Sequence, residues 1–459
     1  MYAGDTIAAV ATPPGPGGIG IIRVSGPLSA SIAVRVFAPS GVAANWESHH
    51  LYHGRVTAAA GHVLDEGLAV LMRGPRSYTG EDVLELHCHG SSVLLRRVLA
   101  EVLGCGARLA EPGEFTRRAF LNGRLDLTQA EAVLDLVRAR TTAGAALATQ
   151  QLGGRLSAHL AGLRTQLLGL KALLEVQIDF SEEDVDVPAS QLLCTIDTCL
   201  VTIQDLVNTF ERGAILRDGL RVAIIGKPNV GKSSLLNALL GEDRAIVTAV
   251  AGTTRDTIEE TADFDGVPVV LSDTAGLRAA AGADALERLG IERTTAKIAQ
   301  AQLLLKVLDA AAPLEEEDLA VLNAGPGIPH VVVLNKIDLP QMISDQDVVR
   351  LAAGGPILDV SATERQGLPA LRQAVIGQFF NGDGPAADAP VLTSVRHRDA
   401  LQKALRSLAL ARESITDGRP ADLVAVDVQD AIDHIGAITG QATSEDVLDR
   451  IFSEFCIGK

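Results

Sequence analysis

The hydrophobic pattern changes its period several times along this chain of 459 residues. Strand and helix patterns alternate up to about residue 120, beginning with the strand-like Thr6–Ala11. From Leu125 onward, apolar residues recur at helical spacing over Leu127–Val137, Leu156–Leu170 and Leu192–Val207. The first part of the chain therefore predicts a mixed α/β segment followed by helices.

A second alternating segment runs from about Leu220 to Phe380, and helical spacing resumes after the linker Asn381–Pro385. Because helices flank a complete α/β segment on both sides, the pattern predicts an insertion into a helical domain. The predicted fold class is α/β plus α. The predicted domains are an α/β domain (1–120), the first part of a helical domain (121–217), the inserted α/β domain (218–380) and the second helical part (381–459).

The composition of the chain excludes several classes of protein. The formal net charge of −17 argues against general affinity for nucleic acid, so any RNA contact requires a local basic patch. We expect no secretory signal and no membrane partner, because no apolar run approaches the ~18 residues of a membrane span. The five cysteines lack C-x-x-C spacing, and we expect reduced thiols in a cytoplasmic protein.

The segment Gly226–Ser233 reads G-x-x-x-x-G-K-S between a predicted strand, Arg221–Ile225, and a predicted helix. This context predicts a P-loop rather than a chance glycine turn. Its glycines let backbone N–H groups surround phosphate oxygens, and the helix N-terminus adds its dipole. Lys232 can reach the β- and γ-phosphates, and Ser233 can ligate Mg²⁺. The nucleotide contacts predicted in this segment are Asn229, Val230, Gly231, Lys232, Ser233 and Ser234.

Further motifs follow in the order that a Ras-like GTPase requires. Asn335-Lys336-Ile337-Asp338 comes after a predicted strand, and an acidic side chain there can accept from both the ring N–H and the exocyclic amine of guanine. Thr254 is predicted to bind Mg²⁺, and Asp273 is predicted to lie behind the water shell of that ion. The sequence therefore predicts GTP or GDP as the ligand. Its remaining predicted contacts are Thr248, Thr274, Ala275, Gly276, Ser361 and Ala362.

Another glycine pattern, G-x-G-x-x-G, occurs at Gly15–Gly20. A dinucleotide-binding site would need a helix to start within this pattern. A β-branched run follows instead, at Ile21–Val24, so we predict a strand and no dinucleotide site.

At full length, the chain resembles the MnmE (TrmE) family of tRNA-modifying GTPases. The resemblance rests on the GTPase motifs and on Ala11–Gly15, Tyr78–Asp82, Glu111–Thr116, Asp126–Glu131 and Cys456–Lys459. It implies an N-terminal folate-binding and dimerisation domain, a helical domain and an inserted Ras-like domain. It also implies a homodimer that joins the FAD-dependent partner MnmG (GidA) in a heterotetramer or larger complex. Together they add an aminomethyl or carboxymethylaminomethyl group to C5 of the wobble uridine of certain tRNAs.

The resemblance also implies how GTP is hydrolysed. Leu277 stands where a Ras-type GTPase has a water-orienting glutamine, and leucine cannot hydrogen-bond the attacking water. The family assigns that task to Glu287, acting through a bridging water, beside Lys232 and Thr254. An alternative stays open, because Asp284–Glu287 also fits a helix capping box. In place of an arginine finger, the resemblance implies a potassium ion bound by Asn229, Thr248, Val250 and Thr253.

For folate, the resemblance points to Arg23, Glu81, Arg124 and Lys459, with 5,10-methylene- or 5-formyl-tetrahydrofolate as the one-carbon carrier. Arg124 stands where the family pattern has lysine. Cys456 lies four residues from the end, which could suggest prenylation, but glycine and a final lysine fit that signal poorly. The family reading of Cys456 is a terminal thiol that reaches the modification site.

Two other functions compete with tRNA modification at this point. A ribosome-assembly GTPase would share the GTP motifs, but such proteins usually carry an RNA-binding domain after them. No KH-type G-x-x-G loop or basic strand follows the GTPase segment here. The third hypothesis is a GTP-gated scaffold with no chemistry beyond hydrolysis.

Overall fold

In a computed structural model, the chain forms two compact units, which we describe separately. The first unit comprises Met1–Leu134, Gln151–Val185 and Pro420–Lys459, and the second comprises Asp135–Gln150 and Asp186–Arg419. The structure describes residues 4–41, 46–179, 187–242, 260–273, 297–344, 347, 355–380, 389–441 and 443–459.

The first unit is built on a seven-stranded sheet in the order β3-β4-β5-β6-β2-β1-β7. All its pairings are antiparallel except that of β1 with β7. Its strands are β1 (Ile7–Val10), β2 (Gly17–Ser25), β3 (Phe37–Pro39), β4 (Leu51–Thr57), β5 (Val63–Met72), β6 (Val83–Gly90) and β7 (Arg108–Leu109). The G-x-G-x-x-G segment thus runs into strand β2 and not into a helix, as the sequence predicted.

Helices α1 (Ser29–Val36) and α2 (Ser92–Gly104) cover one face of this sheet. The core between them contains Ile22, Val24, Leu84 and Leu86, which lie at alternate positions of β2 and β6 and are fully buried. Because strand side chains alternate between faces, the intervening residues of β2 and β6 project from the other face. This alternation places Arg23 and Glu85 together, away from the core.

Five more helices belong wholly or largely to the first unit: α3 (Glu114–Leu121), α4 (Leu127–Arg138), α6 (Arg155–Asp179), α13 (Ala421–Thr439) and α14 (Glu445–Ser453). Helix α6 packs along α13 through leucines at helical spacing, of which Leu160 and Leu167 are almost fully buried. The chain end follows α14, where Phe452 and Phe455 pack against Leu127 of α4.

The second unit combines helices with a six-stranded sheet in the order β13-β12-β11-β8-β10-β9. Its strands are β8 (Leu220–Ile225), β9 (Glu260–Phe264), β10 (Val267–Asp273), β11 (Leu303–Asp309), β12 (His330–Asn335) and β13 (Ile357–Val360). Among the strands that the structure describes here, the edge strand β9 alone pairs antiparallel. The parallel strands read as continuous apolar runs because helices cover both faces of such a sheet.

The helices of the second unit are α5 (Thr142–Leu152), α7 (Ala189–Asn208), α8 (Phe210–Asp218), α9 (Lys232–Glu242), α10 (Glu316–Leu322), α11 (Leu368–Gly377) and α12 (Val395–Thr416). Helix α7, which precedes the sheet in sequence, packs against α12, which follows it. In the first unit α6 and α13 form the same kind of pair. Helices from before and after the second sheet therefore pack against each other within each unit. The insertion and its bounds at 218–380 stay a prediction.

Among the helices that the structure describes, none has both the length and the apolar character to cross a bilayer.

Candidate functional site

The P-loop connects β8 to α9, at the centre of the second sheet. At two positions of the loop, neighbouring atoms lie so close that only glycine, which has no Cβ, fits. A Cβ on Gly226 would lie 2.5 Å from the carbonyl oxygen of Val307, and one on Gly231 would lie 2.3 Å from Nδ2 of Asn335. Gly231 also has φ +96°, a conformation that L side chains rarely adopt. The glycines therefore let the loop lie directly on β11 and β12.

Lys232 begins α9 and its side chain turns back over the loop. Its Nζ donates to the carbonyl oxygens of Gly226 at 2.9 Å and Lys227 at 2.8 Å, and the residue is 7% exposed. The ammonium group thus lies inside the loop, where phosphate oxygens would replace the carbonyl partners. Ser233 and Ser234 follow it and are exposed at the start of the helix.

Asn335, at the end of β12, links two other predicted nucleotide contacts, Val230 and Ala362. Its Nδ2 donates to the carbonyl oxygen of Val230 at 2.8 Å, and its Oδ1 accepts from the N–H of Ala362 at 3.1 Å. The residue is only 2% exposed. Asn335 therefore holds the P-loop and the Ser361-Ala362 motif against each other.

Asp338 is the predicted guanine acceptor, and it is exposed with one oxygen already positioned. Its Oδ1 accepts from the hydroxyl of the fully buried Ser361 at 2.6 Å. The preceding Lys336 has φ +68° and forms an ion pair of 2.6 Å with Asp309 at the end of β11. These contacts orient the loop after β12 so that the Asp338 carboxylate can face a base.

One contact of the P-loop was missed by the sequence analysis. Nζ of Lys227 donates to Asp318 at 2.8 Å and to Glu315 at 3.0 Å, at the start of α10. The hydrogen bond to Asp318 is the main cause that raises the pKa of Lys227. Because the partners lie some 90 residues apart, only the pairing of β8 with β11 could have revealed this ion pair.

Asn229 has φ +69°, so it occupies the left-handed region in the P-loop turn. Asparagine adopts this conformation more readily than most residues with a side chain. The backbone alone is therefore a sufficient reason for asparagine at this position, and the role of its side chain toward a potassium ion stays a prediction.

Several predicted residues lie outside the described part of the chain: Thr248, Val250, Thr253, Thr254, Thr274, Ala275, Gly276 and Glu287. Asp273 is the last residue of β10, where it pairs in register with Ile224 of β8. The end of β10 thus lies beside the start of the P-loop, at the edge of a parallel sheet where ligands usually bind.

A second candidate site forms in the first unit, where the chain end returns to the N-terminal sheet. Ile457 makes an antiparallel bridge with Pro112, and the N–H of Phe115 donates to the carbonyl oxygen of Lys459 at 3.2 Å. Gly458 has φ +98°, and a Cβ there would lie 2.4 Å from the carbonyl oxygen of Val10. The tail Cys456–Lys459 is therefore held by its backbone, with the Cys456 side chain exposed.

Arg23 of β2 connects this tail to the sheet. Its guanidinium donates to the carbonyl oxygen of Gly458 at 3.4 Å and to Glu85 of β6 at 2.8 Å. It also lies over the rings of Tyr78 and Phe115, at 5.4 Å and 5.8 Å from their centroids. A cation flanked by aromatic rings is a suitable place for a planar or anionic ligand.

Arg23 contributes to the pKa shifts of two neighbouring groups, Glu85 and Lys459. A hydrogen bond from His87, followed by the charge of Arg23, holds the pKa of Glu85 below its usual value although burial opposes this. Burial and then the charge of Arg23 lower the pKa of Lys459. The site therefore has a surplus of cationic groups around one carboxylate.

Of the four residues predicted for folate, Arg23 bonds to Gly458, the neighbour of Lys459, and its charge acts on Lys459. Glu81 accepts from Ser25 at 2.7 Å and from Arg118 at 3.2 Å, so its carboxylate is already paired. Nε of Arg124 donates to the carbonyl oxygen of Ser77 at 3.1 Å, in the loop that carries Glu81. Arg124 itself lies in the segment between α3 and α4, so this hydrogen bond joins that segment to the loop of Glu81. Within the described part of the chain, neither Glu81 nor Arg124 bonds to Arg23.

Glu85 and His87 were missed by the sequence analysis, and alternation along β6 could have indicated them. They lie two residues apart, between the buried Leu84, Leu86 and Cys88. Two polar residues on one strand face, opposite a basic residue of the neighbouring strand, predict a cross-strand ion pair once the register is known. All five cysteines lie among the described residues, and none of them forms a disulfide bond.

Comparison with known proteins covers the whole chain. A family model described as the MnmE helical domain matches residues 127–456, and one described as the GTP-binding protein TrmE N-terminus matches residues 6–124. The chain is 47% identical to the tRNA modification GTPase MnmE of Geobacter sulfurreducens, over 100% of both chains. It is 45% identical to that of Syntrophotalea carbinolica, again over 100% of both chains. Among solved structures, the chain is similar to the G domain of the T. maritima FeoB iron transporter, with 23% sequence identity and a TM-score of 0.27. The match covers 34% of this chain and 96% of that chain.

Proposed function

This chain belongs to the MnmE family of tRNA modification GTPases, and on that premise we propose that it modifies C5 of the wobble uridine with a folate-derived carbon. The group added is aminomethyl or carboxymethylaminomethyl. The protein acts as a homodimer in the cytoplasm, together with the FAD-dependent MnmG (GidA), in a heterotetramer or larger complex. Family membership also decides against a ribosome-assembly GTPase.

The docked tail is the observation that carries this proposal. A chain end is usually frayed and makes few contacts. Here, the backbone of Cys456–Lys459 bonds to the segment after β7, and Arg23 donates to Gly458. This arrangement supports a role for the exposed Cys456 thiol beside Arg23 and Lys459.

The residues around the tail fit the chemistry of a folate. Arg23 and Lys459 supply cations for its carboxylates or carbonyl groups, and the half-buried Tyr78 offers aromatic surface for its planar ring, with the fully buried Phe115 behind Arg23. Glu81, in the loop that precedes β6, and Arg124, in the segment between α3 and α4, would bind it from the two sides of the Arg124–Ser77 hydrogen bond. When bound, 5,10-methylene- or 5-formyl-tetrahydrofolate supplies the one-carbon unit.

GTP hydrolysis belongs to the second unit. Lys232 binds the β- and γ-phosphates in place of its carbonyl partners, and Asp338 accepts from guanine while Ser361 holds its other oxygen. Ser233 and Thr254 would hold a Mg²⁺ ion, with Asp273 behind its water shell, and the ion would offset charge on the phosphates. The P-loop and the guanine motif are coupled through Asn335.

The proposal is tested by mass spectrometry of tRNA nucleosides. A strain that lacks its own copy of the gene is complemented with this chain, and the modified wobble uridine is measured. Absence of the modification, with normal GTP hydrolysis by the purified protein, would contradict the proposal and favour a GTP-gated scaffold.

We expect potassium, and not sodium, to accelerate hydrolysis, because Leu277 replaces the water-orienting glutamine and Asn229 can ligate a cation near the phosphates. Asn229→Gly should remove most of this response while GDP affinity stays within about twofold. Glycine is the correct variant because the left-handed backbone at Asn229 strains alanine by about 1 kcal/mol. Turnover is measured in KCl and NaCl at equal ionic strength, with Asn229→Ala alongside. Equal rates of the unmodified protein in the two salts would refute the potassium role.

Glu287→Ala should lower turnover by about 10²-fold, the usual effect of losing a group that positions the attacking water. If Glu287 serves only in a helix capping box, the variant loses about 1 kcal/mol of stability and keeps its turnover. Melting temperature and GTPase rate measured on one sample separate these two results. Glu287→Gln is the matched control, because glutamine also fits a capping box and can orient a water.

A further inference from the structure

A cavity of about 640 Å³ lies within the first unit, apart from the residues assigned to GTP. Its walls come from the segment between α3 and α4, from α6 and from the C-terminal end of α13. Its volume is within the range of about 300–1,000 Å³ that is typical of small-molecule sites. Arg23, Glu81 and Lys459 do not line it, and Arg124 is the one residue that it shares with those predicted for folate.

The lining combines an apolar wall with polar groups. Phe120, Leu125, Leu160 and Ile435 supply the apolar surface. The polar side chains of the lining are those of Arg124, Asp126, Gln129, Ser157, Arg164, Thr165, Thr439 and Gln441. A ligand of this cavity would therefore have both a polar group and an apolar or planar body.

Arg164 is the residue that indicates the charge of the ligand. It projects from the middle of α6, is half-buried, and its Nε is buried without a hydrogen-bond acceptor. Within the part of the chain that the structure describes, Arg164 has no hydrogen bond or ion pair. A buried donor without a partner costs about 1–3 kcal/mol, so such groups usually await a ligand or water.

The other charges of the cavity leave it cationic. Asp126 is its single carboxylate among the described lining residues, and the Oδ1 of Asp126 accepts from Thr128 at 2.7 Å and from the N–H of Gln129 at 3.0 Å. Asp126 therefore serves the start of α4 and does not pair with Arg164. Arg124 adds a second guanidinium, which is anchored only by the Ser77 carbonyl oxygen.

We propose that this cavity binds a phosphate ester of nucleotide size through Arg164, with the base or sugar on the apolar wall of Phe120 and Leu160. A guanidinium forms paired hydrogen bonds with phosphate oxygens, for which its planar fork is suited. The ester is either a free nucleotide or a nucleotide of a bound RNA. The RNA source rests on the proposed function, because a protein with a net charge of −17 needs a local cationic site to hold tRNA.

Calorimetric titration of the full chain with uridine 5′-monophosphate and with inorganic phosphate tests the free-nucleotide source. The protein is first saturated with GDP and Mg²⁺, so that the P-loop cannot bind the probe. Arg164→Gln should weaken uridine monophosphate binding at least tenfold, and Arg164→Lys should weaken it less. Arg97→Gln is the matched control, because Arg97 is an exposed arginine on α2.

Binding of unmodified tRNA at several salt concentrations tests the RNA source. If the ester belongs to RNA, Arg164→Gln lowers tRNA affinity and reduces the salt slope by about one phosphate contact, whereas uridine monophosphate binds weakly or not at all. Because Arg164 makes no hydrogen bond or ion pair in the described part of the chain, the melting temperature of the variant should not fall, and its GTPase rate should be unchanged. Unaltered binding of both probes by Arg164→Gln would refute the proposal, even if the wobble uridine is modified normally.

Discussion

Deletion of Cys456–Lys459 is expected to abolish tRNA modification while potassium-stimulated GTP hydrolysis continues at its normal rate. The deletion removes the exposed thiol, the terminal cation and the backbone that bonds to Arg23 and Phe115. Every residue assigned to GTP lies between Gly226 and Ala362, so hydrolysis should not depend on the tail. Mass spectrometry of tRNA nucleosides and a GTPase assay measure the two activities separately.

Single substitutions separate docking of the tail from the chemistry of its thiol. Gly458→Ala should detach the tail, because a Cβ would lie 2.4 Å from the carbonyl oxygen of Val10 and φ is +98°. Cys456→Ser should keep the tail docked and remove only the thiol. Hydrogen exchange of the Phe115 amide reports docking directly, since this N–H donates to Lys459.

The matched glycine control is Gly104→Ala, since a Cβ at the end of α2 would meet nothing within 4 Å. It should change neither the exchange rate nor the modification. Normal modification by the Gly458→Ala variant with a detached tail would show that the tail is dispensable.

The parts of the fold that sequence could predict are those determined by local pattern. The P-loop is one, because strand, glycine loop and helix are consecutive and each residue type has its own reason. Local pattern also predicted the alternation of strands and helices. It predicted the strand that follows Gly15–Gly20 as well. Each of these can be read from a window of about 10–20 residues.

The contacts that sequence could not predict join distant parts of the chain. The Arg23–Glu85 ion pair depends on the register of β2 with β6, and the Lys227–Asp318 pair depends on the pairing of β8 with β11. Arg164 lies within the helical pattern Leu156–Leu170, and the absence of an acceptor for its Nε is visible only in three dimensions. The place of the tail was expected from family resemblance alone.

Asn335→Ala is expected to weaken GDP and GTP binding by about 10³-fold. The variant leaves the carbonyl oxygen of Val230 and the N–H of Ala362 without their partner, and each lost partner of a buried backbone group costs about 1–3 kcal/mol. A total of about 4 kcal/mol corresponds to this factor if the loss falls on the nucleotide-binding arrangement of the loops.

Calorimetric titration with GDP measures the affinity of this variant, and thermal unfolding without nucleotide measures its stability. Asn323→Ala is the control, because Asn323 is exposed at the end of α10 in the same unit. Asn335→Asp provides a second comparison: it keeps an acceptor for Ala362 but places a carboxylate oxygen against the carbonyl of Val230, where the amide had donated. Its GDP affinity should therefore also fall. If both variants bind GDP normally, the link between the P-loop and the guanine motif does not position the nucleotide, and Asn335 only fills space at the end of β12.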